Sequence, residues 1–328
     1  MVSEALTPSS GFAVTDPLVY IVVLNWNGRE DTLACLRSLE PVWNKRTKGI
    51  VVDNGSTDGT PDAVRAAFAA VEVLEAGQNL GFTGGNNIGL RFALDRGADH
   101  VLLLNNDTVV DPGFLREMLT VATVSEEIGF VSPKIYFLDP PDMLWFAGAR
   151  FSTWTGYGRV IGYREPDRGQ YDNVRTIVRP CGCAVLVSRR LCLEAGLMDD
   201  RLFLYVDEVE WMLRARKHGF KAYYAPKAKV WHKVSASVGR ESHPDAFYYG
   251  VRNTLYALDT HVPFPFGIRI LRYFRELSVT SVHLAALLLS STSKVDGLRA
   301  IRQGLADYRR GTFGKRGDRI AGPHPSRP

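Results

Sequence analysis

Short, continuously apolar runs alternate with helical patterns over residues 19–125, and this alternation constrains the fold more than any other feature of the chain. Val19–Leu24 and Val101–Asn105 typify these runs. Because they are apolar at nearly every position, rather than at every second one, both faces of each predicted strand must be buried. Strands of this kind, each followed by a helix, indicate an α/β fold with a mostly parallel central sheet flanked by helices.

The same patterns predict the other elements. Further strands are predicted at Gly49–Asp53 and Val71–Glu75, and helices at Arg29–Leu39, Asp62–Ala69, Gly85–Arg96 and Pro112–Ser125. Residues 145–179 are rich in Gly and aromatic residues without helical periodicity, which predicts hairpins and loops along one wall of a cleft. The later elements are a strand at Ala184–Ser188, helices from Arg189 and at Asp207–His218, a strand at Phe220–Ala225 and a helical region beyond Pro244.

Charge narrows the class of partner. A net charge of +5 in 328 residues suits a phosphate-bearing substrate, an anionic membrane surface or nucleic acid. Much of the excess lies near the C-terminus, which resembles a basic tail more than a nucleic-acid groove, so we expect no nucleic-acid partner. The cations concerned are Arg299, Arg302, Arg309, Arg310, Lys315, Arg316 and Arg319.

The cysteine and apolar patterns bear on the compartment. The four cysteines form neither a disulfide framework nor a zinc spacing, so we expect packing residues in a cytoplasmic protein. The longest apolar stretch, Leu277–Leu289, is interrupted and shorter than the roughly 20 residues that span a bilayer, so no transmembrane helix is expected. Residues 1–17 lack the features of a signal peptide and are predicted to be a disordered leader.

A polar cluster follows each of the four predicted strands of the first half at its carboxyl end. Ligands of open α/β sheets bind beyond these ends, so we expect the clusters to form one site. The clusters are Asn25–Gly28, Asp53–Asp58, Asn79–Asn87 and Asn105–Asp107.

Asn105, Asn106 and Asp107 end an apolar strand abruptly and offer oxygen ligands. Hard cations take such ligands and share them with phosphates, so the triplet suits Mg²⁺ or Mn²⁺ carrying a diphosphate. The alternative is a turn in which these side chains cap a helix that opens near Pro112.

The loops after the second and third strands carry groups that suit a nucleotide. Asp53 can accept hydrogen bonds from a base N–H or a ribose hydroxyl, although residues of this kind also make turns without a ligand. Asn79–Asn87 supplies glycines for close backbone approach and a helix N-terminus for anionic groups. It matches neither Gly-x-Gly-x-x-Gly nor a P-loop, which excludes flavin-binding, NAD-binding and ATP-cleaving functions.

Two later segments carry groups for catalysis and metal binding. Asp207 and Glu208 stand at a predicted helix start, where one can act as a general base on an acceptor hydroxyl. The alternative is favourable placement of acids in a first helical turn. His232 offers a further metal ligand if it lies beside Asp107, and Lys233 offers charge to a phosphate, although a lone His is more often structural.

Taken in order, these motifs resemble the family 2 inverting glycosyltransferases of the GT-A fold, and within them the bacterial rhamnosyltransferase-like branch. The resemblance runs from about Val19 to Thr254 and is strong, because several independent motifs occur in the family's order. The motifs are Leu24–Gly28, Val52–Ser56, Asn79–Phe82 with Gly85–Asn87, Leu104–Thr108, Phe203–Tyr205 with the acids that follow, and the segment around His232.

The resemblance implies a role for each matched residue. Asp107 would hold the metal, and His232 would complete the metal site. Glu208 is the base by position, whereas Asp207 has the residue type usual for the base, so both stay open. Asn105 replaces the first Asp of the family's Asp-x-Asp motif. The implied nucleotide-sugar-binding residues are Asn25, Asn27, Asp53, Asn79, Gly81, Phe82, Asn86, Asn105, Asn106 and Lys233, with Asp53 on the base.

The activity that the resemblance implies is metal-dependent transfer of a sugar with inversion, with Mg²⁺ or Mn²⁺ as cofactor. We expect L-rhamnose from dTDP-rhamnose as the donor and a glycan or lipid-linked glycan as the acceptor, in cell-surface polysaccharide synthesis. The alternatives are another donor, such as UDP-galactose or UDP-galactofuranose, and a nucleotide-sugar-binding protein that has lost catalysis.

The resemblance also sets the expected domains. They are a GT-A catalytic domain at 18–243, with a nucleotide-binding half at about 18–135 and an acceptor-binding half at about 136–243, then a helical extension at 244–313 and a basic disordered tail at 314–328.

The helical extension suits contact with a membrane. Pro265–Leu289 mixes apolar residues with Arg269, Arg272 and Arg275, as in a helix that lies at an anionic surface. The protein would then sit at the inner face of the cell membrane. The alternative is that these residues pack against the catalytic domain or against a second copy in a homo-oligomer.

Overall fold

A mixed sheet forms the centre of the protein. The computed structural model describes residues 16–233, 243–262, 269–317 and 320–321. Within these residues the central sheet has eleven strands. All but the last residues of the predicted leader, and the first part of the segment predicted to contact a membrane, lie outside the described residues.

The first half of the chain forms the parallel part of the sheet, as predicted. Its elements are β1 (Val19–Asn25), α1 (Arg29–Leu39), β2 (Thr47–Asp53), α2 (Thr60–Ala67), β3 (Val71–Glu75), α3 (Gly81–Asp95) and β4 (His100–Asn105). β1 pairs in parallel with β2 and β4, and β2 pairs with β3. Residues 21–23 of β1 are completely buried, which is why this strand is apolar at successive positions.

The strand order changes direction at β1. β2 and β3 lie on one side of β1, and β4 lies on the other. Asn25 at the end of β1 is therefore opposite Asp53 of β2, while Leu24 is opposite Asn105 of β4. Open α/β sheets bind ligands in the crevice at such a point, beyond the carboxyl ends of the strands.

The second half of the sheet is mixed. Its elements are β5 (Thr108–Val110), α4 (Phe114–Ala122), β6 (Ile128–Phe137), β7 (Met143–Phe146), β8 (Ala149–Phe151), β9 (Gly158–Val160), β10 (Glu165–Pro166), β11 (Arg175–Ile177), β12 (Ala184–Ser188) and β13 (Lys221–His232). β12 lies between β4 and β6 and is antiparallel to both. β13 pairs in parallel with β6 and antiparallel with β5, which brings His232 opposite Thr108.

Three strands of this half differ from the sequence analysis. β5 and β6 were not predicted, and the last predicted strand ended at Ala225, whereas β13 continues to His232. β13 passes Pro226 through a shift in its register with β6. Lys134 interrupts the apolar pattern of β6, and its buried ammonium lies 2.9 Å from the carboxylate of Asp167. A proline and a buried cation both weaken the pattern from which strands are predicted.

A helical extension packs on the sheet domain. Its helices follow α5 (Arg189–Glu194) and α6 (Asp207–Lys217) and are α7 (Pro244–His261), α8 (Arg269–Leu289) and α9 (Lys294–Arg310), before the hairpin β14 (Thr312–Phe313) and β15 (Ile320–Ala321). α7 contacts α6 as well as α8 and α9. A second apolar cluster joins Val209 and Leu213 of α6 to Val251 and Leu255 of α7. Among the described helices, none is both long and apolar enough to cross a membrane.

Candidate active site

A cleft of about 600 Å³ opens at the carboxyl ends of β1 and β4. The loops after the four parallel strands line it, together with residues 203–205 and parts of the extension. The residues predicted from the sequence that line the cleft are Asn27, Asn79, Gly81, Phe82, Asn105, Asn106 and Asp107. The predicted residues outside this lining are Asn25, Asp53, Asn86, Asp207, Glu208, His232 and Lys233.

Asp53 and Asn25 form a buried pair beside the cleft. The side-chain amide of Asn25 donates to Oδ1 of Asp53 (2.8 Å) and to Oγ of Ser56 (3.0 Å). The other oxygen of Asp53 accepts from the backbone N–H of Ser56 (2.9 Å), and Asp53 is only 2% exposed. The structure thus joins Asp53 to the end of β1 and to the turn after β2.

Asn106 is tied into the same network from β4. Its Nδ2 donates to Oδ1 of Asn25 (3.1 Å) and to Oγ1 of Thr32 (3.0 Å). Oδ1 of Asn25 also accepts from the Thr32 hydroxyl (2.9 Å) and from the backbone N–H of Gly28 (3.1 Å). These bonds fix the loops after β1 and β4 to each other, so the edge of the cleft is held by side chains rather than by the sheet alone.

The loop that begins α3 is held in a sharp turn. Asn54 donates to the carbonyl of Gly81 (2.9 Å), and Oδ1 of Asn79 accepts from the Gly81 N–H (2.8 Å). Gly81 has a positive φ of 76°, and a Cβ atom there would lie 2.3 Å from the carbonyl oxygen of Phe203. That carbonyl accepts from the Phe82 N–H (2.7 Å). Only glycine fits this turn and this close approach.

Three predicted binding residues have polar groups that contact protein. Asn86 is buried in α3, where Nδ2 donates to a carbonyl of the same helix (2.9 Å). Oδ1 of Asn27 accepts from the Thr57 N–H (2.8 Å). The ammonium of Lys233 lies 2.6 Å from Oδ1 of Asp31, and this hydrogen bond raises the pKa of Lys233.

Asp107 and His232 are brought together by the pairing of β5 with β13. Oδ1 of Asp107 lies 3.0 Å from Nε2 of His232, and the two side chains are 10% and 2% exposed. Neither ring nitrogen of His232 makes a hydrogen bond in spite of that distance. Buried polar atoms normally have a partner. An oxygen and a nitrogen so placed fit a divalent cation bound by both.

The protein supplies few metal ligands at this position. The described ranges contain no group of three or more His, Cys, Asp or Glu side chains that could hold a metal ion. Asp107 lines the cleft, so a cation held beside it would be open to a diphosphate. Such sharing is ordinary, because Mg²⁺ in phosphate-transferring sites is held by one or two carboxylates together with substrate phosphates and water.

Asp207 and Glu208 begin α6, directly after the residues that line the cleft. Burial, and next the neighbouring charge of Glu208, raise the pKa of Asp207 well above its ordinary value. Oδ2 of Asp207 is buried without a hydrogen-bond partner. The Glu208 side chain is 19% exposed, and its Oε1 lies 3.7 Å from Nε of Arg179. Asp207 therefore keeps its proton at pH values where an ordinary aspartate is ionised.

Glu210, the next acid of α6, is paired with side chains of the protein. Its Oε1 accepts from Nε of Arg214 (2.9 Å) and lies 2.7 Å from Nε2 of His261 in α7. Burial alone would raise the pKa of Glu210, but the hydrogen bonds from His261 and Arg214 outweigh it and lower the pKa. Glu210 thus ties α6 to the extension and is not part of the cleft.

The extension contributes a part of the cleft that the sequence analysis missed. His243, Asp245 and Tyr249, at the start of α7, line the cleft with Lys315 and Arg316. Nη1 of Arg316 donates to Oδ1 of Asp245 (2.7 Å), and the backbone N–H of Arg316 donates to the Tyr249 hydroxyl (2.7 Å). The Lys315 side chain is exposed. Residues 314–317, expected within a disordered tail, pack here on α7. No local motif marks these residues, because only tertiary packing brings them to the site.

Trp26 was also missed, although a signal was present. It lines the cleft and is 47% exposed, which is high for so large an apolar side chain. It stands between the two polar residues Asn25 and Asn27 at a strand end. An exposed aromatic ring in such a cluster offers a face on which a base or sugar ring can stack.

Comparisons with known proteins give a consistent result. A sequence model of the family described as "Glycosyltransferase like family 2" matches residues 16–246. The chain is 29% identical over 225 residues to N-acetylglucosaminyl-diphospho-decaprenol L-rhamnosyltransferase of Mycobacterium tuberculosis, with 63% of this chain and 73% of the relative covered. It is 23% identical over 289 residues to dTDP-rhamnosyl transferase RfbF of Shigella flexneri, with 86% and 92% covered.

Solved structures share the fold. GalNAc-T7 with UDP, GalNAc and Mn²⁺ superposes with a TM-score of 0.56 at 15% identity over 81% of this chain and 55% of the other. This chain thus spans about half the length of that protein. The mannosyltransferase PcManGT of Pyrobaculum calidifontis, in complex with GDP-Man and Mn²⁺, superposes with a TM-score of 0.52 at 16% identity, covering 90% and 83%. The predicted GT-A fold is confirmed.

Proposed function

The chain belongs to the family 2 glycosyltransferases, and from this we propose that it transfers L-rhamnose from dTDP-rhamnose, with inversion, to a lipid-linked glycan. The donor is supported by the names of two relatives, an L-rhamnosyltransferase and a dTDP-rhamnosyl transferase. The acceptor is supported by the first of these, whose name specifies a diphospho-decaprenol. Such a reaction would serve cell-surface polysaccharide synthesis.

The observation that carries the proposal is the Asp107–His232 pair at the edge of the cleft. The Asp107 oxygen lies 3.0 Å from the buried Nε2 of His232, and neither imidazole nitrogen makes a hydrogen bond, which supports the proposal that both residues bind one cation. Asp107 lies beyond the carboxyl end of β4, at the point of the sheet where ligands of such folds bind. A sugar nucleotide in the cleft would present its diphosphate to this corner.

We assign Asp107 and His232 as the residues that hold Mg²⁺ or Mn²⁺. Both ions suit the carboxylate of Asp107, but Mg²⁺ is bound through oxygen ligands, so the imidazole of His232 makes Mn²⁺ the cation to test first. When bound, the cation would stabilise the charge that develops on the departing diphosphate.

The nucleotide would lie between the loops after β1 and β3. Trp26 and Asn27 of the first loop line the cleft, as do Asn79, Gly81 and Phe82 of the second. The backbone N–H groups of Gly81 and Phe82 at the start of α3 donate to Asn79 and to the Phe203 carbonyl, so this turn would shape the wall beside the nucleotide rather than bind its anionic groups. Asp53, at the end of β2, would bind the nucleotide base of the donor.

Glu208 is our assignment for the general base. A base must accept a proton from the acceptor hydroxyl; burial raises the pKa of Asp207 and favours its protonated form, whereas the Glu208 side chain is 19% exposed beside Arg179. The acceptor oxygen would attack the anomeric carbon from the face opposite the diphosphate as Glu208 takes its proton, which gives inversion. The acceptor-binding half at about 136–243 would position that hydroxyl.

A lipid-linked acceptor requires access to a membrane, and we propose that α8 and α9 provide it. Leu288 and Leu289 are 74% and 90% exposed, and Phe274 is 56% exposed. Arg272 and Arg275 do not serve as the cations of this face, because both pair with Asp259 inside the extension. The cations come instead from α9, where Arg299 and Arg302 are exposed beside apolar residues.

The experiment that tests this function is a donor panel with the purified full-length chain. Consumption of dTDP-rhamnose, UDP-galactose and UDP-galactofuranose is measured with an N-acetylglucosaminyl diphosphate polyprenol acceptor, in Mn²⁺ and in EDTA. We expect transfer from dTDP-rhamnose alone, in Mn²⁺, with an inverted anomeric centre in the product by NMR.

Each other outcome selects a different conclusion. Preferential use of a uridine donor would replace the rhamnose assignment. Saturable binding of dTDP-rhamnose without hydrolysis or transfer, with any acceptor, would identify a nucleotide-sugar-binding protein. Equal transfer in EDTA would show that the reaction does not require a metal ion.

A further inference from the structure

The turn that precedes the acid pair has an unusual backbone. Phe203 has φ 65° and ψ −55°, and the Leu204 N–H donates to the Leu202 carbonyl (2.7 Å), which defines a γ-turn of the rare positive-φ type. Tyr205 and Val206 also have positive φ values, of 63° and 65°. Such a conformation is disfavoured for bulky and β-branched residues, so it persists only where surrounding contacts impose it.

Asn253 of α7 supplies contacts that impose this turn. Its Nδ2 lies within hydrogen-bonding distance of the carbonyls of Leu202 (3.1 Å), Leu204 (2.9 Å) and Tyr205 (2.9 Å). Asn253 is completely buried. Three carbonyl groups from four consecutive residues therefore converge on one side-chain amide, as the folded-back path of the turn requires.

Arg252 holds Asn253 and the same turn. Its Nε donates to Oδ1 of Asn253 (2.9 Å), and its Nη2 donates to the Leu202 carbonyl (3.0 Å). Nη1 donates to the carbonyl of Gly314 (2.8 Å). The guanidinium is completely buried and lies 5.0 Å from the ring centroid of Tyr249. Charge-assisted hydrogen bonds from this buried cation hold the backbone carbonyls of Leu202 and Gly314 in place.

The turn connects two parts of the site. The Phe203 carbonyl accepts from the Phe82 N–H (2.7 Å) at the start of α3, and residues 203–205 line the cleft. Asp207 and Glu208 follow directly. A change in the turn would therefore displace Glu208 while leaving in place the Asp107–His232 pair, which lies on the β4–β5 turn and on β13.

We propose that Asn253, oriented by Arg252, is a positioning residue that sets the turn before α6 and so aims Glu208 at the acceptor hydroxyl. The helical extension would then help to position the catalytic base, in addition to packing on the sheet domain. This inference rests on the proposed role of Glu208 as the base.

The test compares Asn253→Ala with Tyr308→Phe in the full-length protein. Tyr308→Phe removes a buried hydroxyl that contacts Asp259 in the extension, away from the turn. We expect Asn253→Ala to lower kcat for transfer about 100-fold, a loss that a misplacement of about 1 Å can cause, and Tyr308→Phe to lower it by less than about threefold. The Kd of dTDP in Mn²⁺ should change by no more than about threefold in both, because the Asp107–His232 pair and the Asn54 and Asn79 bonds that hold Gly81 do not depend on Asn253.

Arg252→Lys is the second variant and decides the matter if Asn253→Ala does not fold. It keeps a cation but loses the bond that orients Asn253, so we expect about a tenfold loss in kcat with little change in KM for the donor. Transfer by either folded variant at the rate of Tyr308→Phe would overturn the inference while the proposed function stands. Absence of transfer by the parent protein would instead remove the proposed function itself.

Discussion

Asp207 and Glu208 are adjacent at the start of α6 but differ in burial, and we expect them to differ in their roles in catalysis. We predict that Glu208→Gln lowers turnover by at least about 100-fold, the usual contribution of a general base. Asp207→Asn should lower it less, because burial raises the pKa of Asp207 and favours its protonated form, which an amide resembles. Steady-state kinetics with saturating donor measures both. A larger loss for Asp207→Asn would reverse the assignment, and two active variants would exclude a carboxylate base.

The same difference has a consequence for stability. Because the folded-state pKa of Asp207 is raised, the native state holds a proton that the unfolded state has released above about pH 4. The free energy of unfolding must therefore fall as pH rises from there towards the folded-state pKa. Urea titrations between pH 5 and 8 should show that Asp207→Asn flattens this fall. Asp62→Asn, at a side chain that is 92% exposed, should leave the slope unchanged.

At the metal pair, we predict that Asp107→Ala abolishes Mn²⁺-dependent transfer and leaves the fold intact. Asp107 lies at a strand end and contributes its carboxylate to the cleft, not to the apolar core. His232→Ala should weaken Mn²⁺ binding in the presence of dTDP, measured by calorimetry, because one of two protein ligands is lost. Asp95→Ala, an exposed change at the end of α3, is the control. Normal Mn²⁺-dependent turnover by Asp107→Ala would rule out the metal role.

Elements were predictable where their own sequence pattern decides them. β3 and β12 were predicted with their observed bounds, because each is a short segment rich in Val and Leu that ends at a polar residue, Glu75 or Ser188. β6 was not, because Lys134 interrupts its pattern and is neutralised by carboxylates more than thirty residues away. A partner so distant in sequence leaves no local trace. Long-range pairing, rather than propensity, makes β6 a strand.

The same rule separates the predicted from the unpredicted parts of the site. Polar residues at strand ends, such as Asn105 and Asp107, were found because topology alone brings the carboxyl ends of parallel strands together. The contributions of Asn253 and Arg316 were not found, because both depend on how α7 packs on the turn before α6. Asn86 was expected at the ligand from its place in a Gly-rich loop, yet its amide bonds within α3. Sequence gives a residue's element, but not which way its side chain is used.

At the scale of the whole molecule, the cleft and the exposed apolar face are joined by the extension. α9 carries Arg299 and Arg302 on its exposed side, and the chain that follows it brings Lys315 and Arg316 to the cleft. Gln303 of α9 accepts a hydrogen bond from Arg316 (3.0 Å). A lipid-linked acceptor anchored at this face would thus meet basic residues on its way to the donor.

The last prediction concerns membrane binding by this face, measured by flotation with phosphatidylserine-containing vesicles at low salt. Replacement of both Arg299 and Arg302 by Gln should weaken binding roughly 30-fold, since each cation near an anionic surface is worth about 1 kcal/mol. The variant with Ser at both Leu288 and Leu289 should also bind less, because these side chains are 74% and 90% exposed and would enter the interface.

The control for that experiment is Leu193→Ser, which removes a leucine that is 64% exposed on α5, outside the extension. It tests whether loss of any exposed apolar side chain reduces flotation, and we expect it to bind as the parent does. Substitution is preferable to truncation of α8 and α9, because Leu287 and Ile301 belong to the apolar cluster that stabilises α7. A parent protein that stays at the bottom of the gradient, or surface variants that float as well as the parent, would contradict membrane binding by this face.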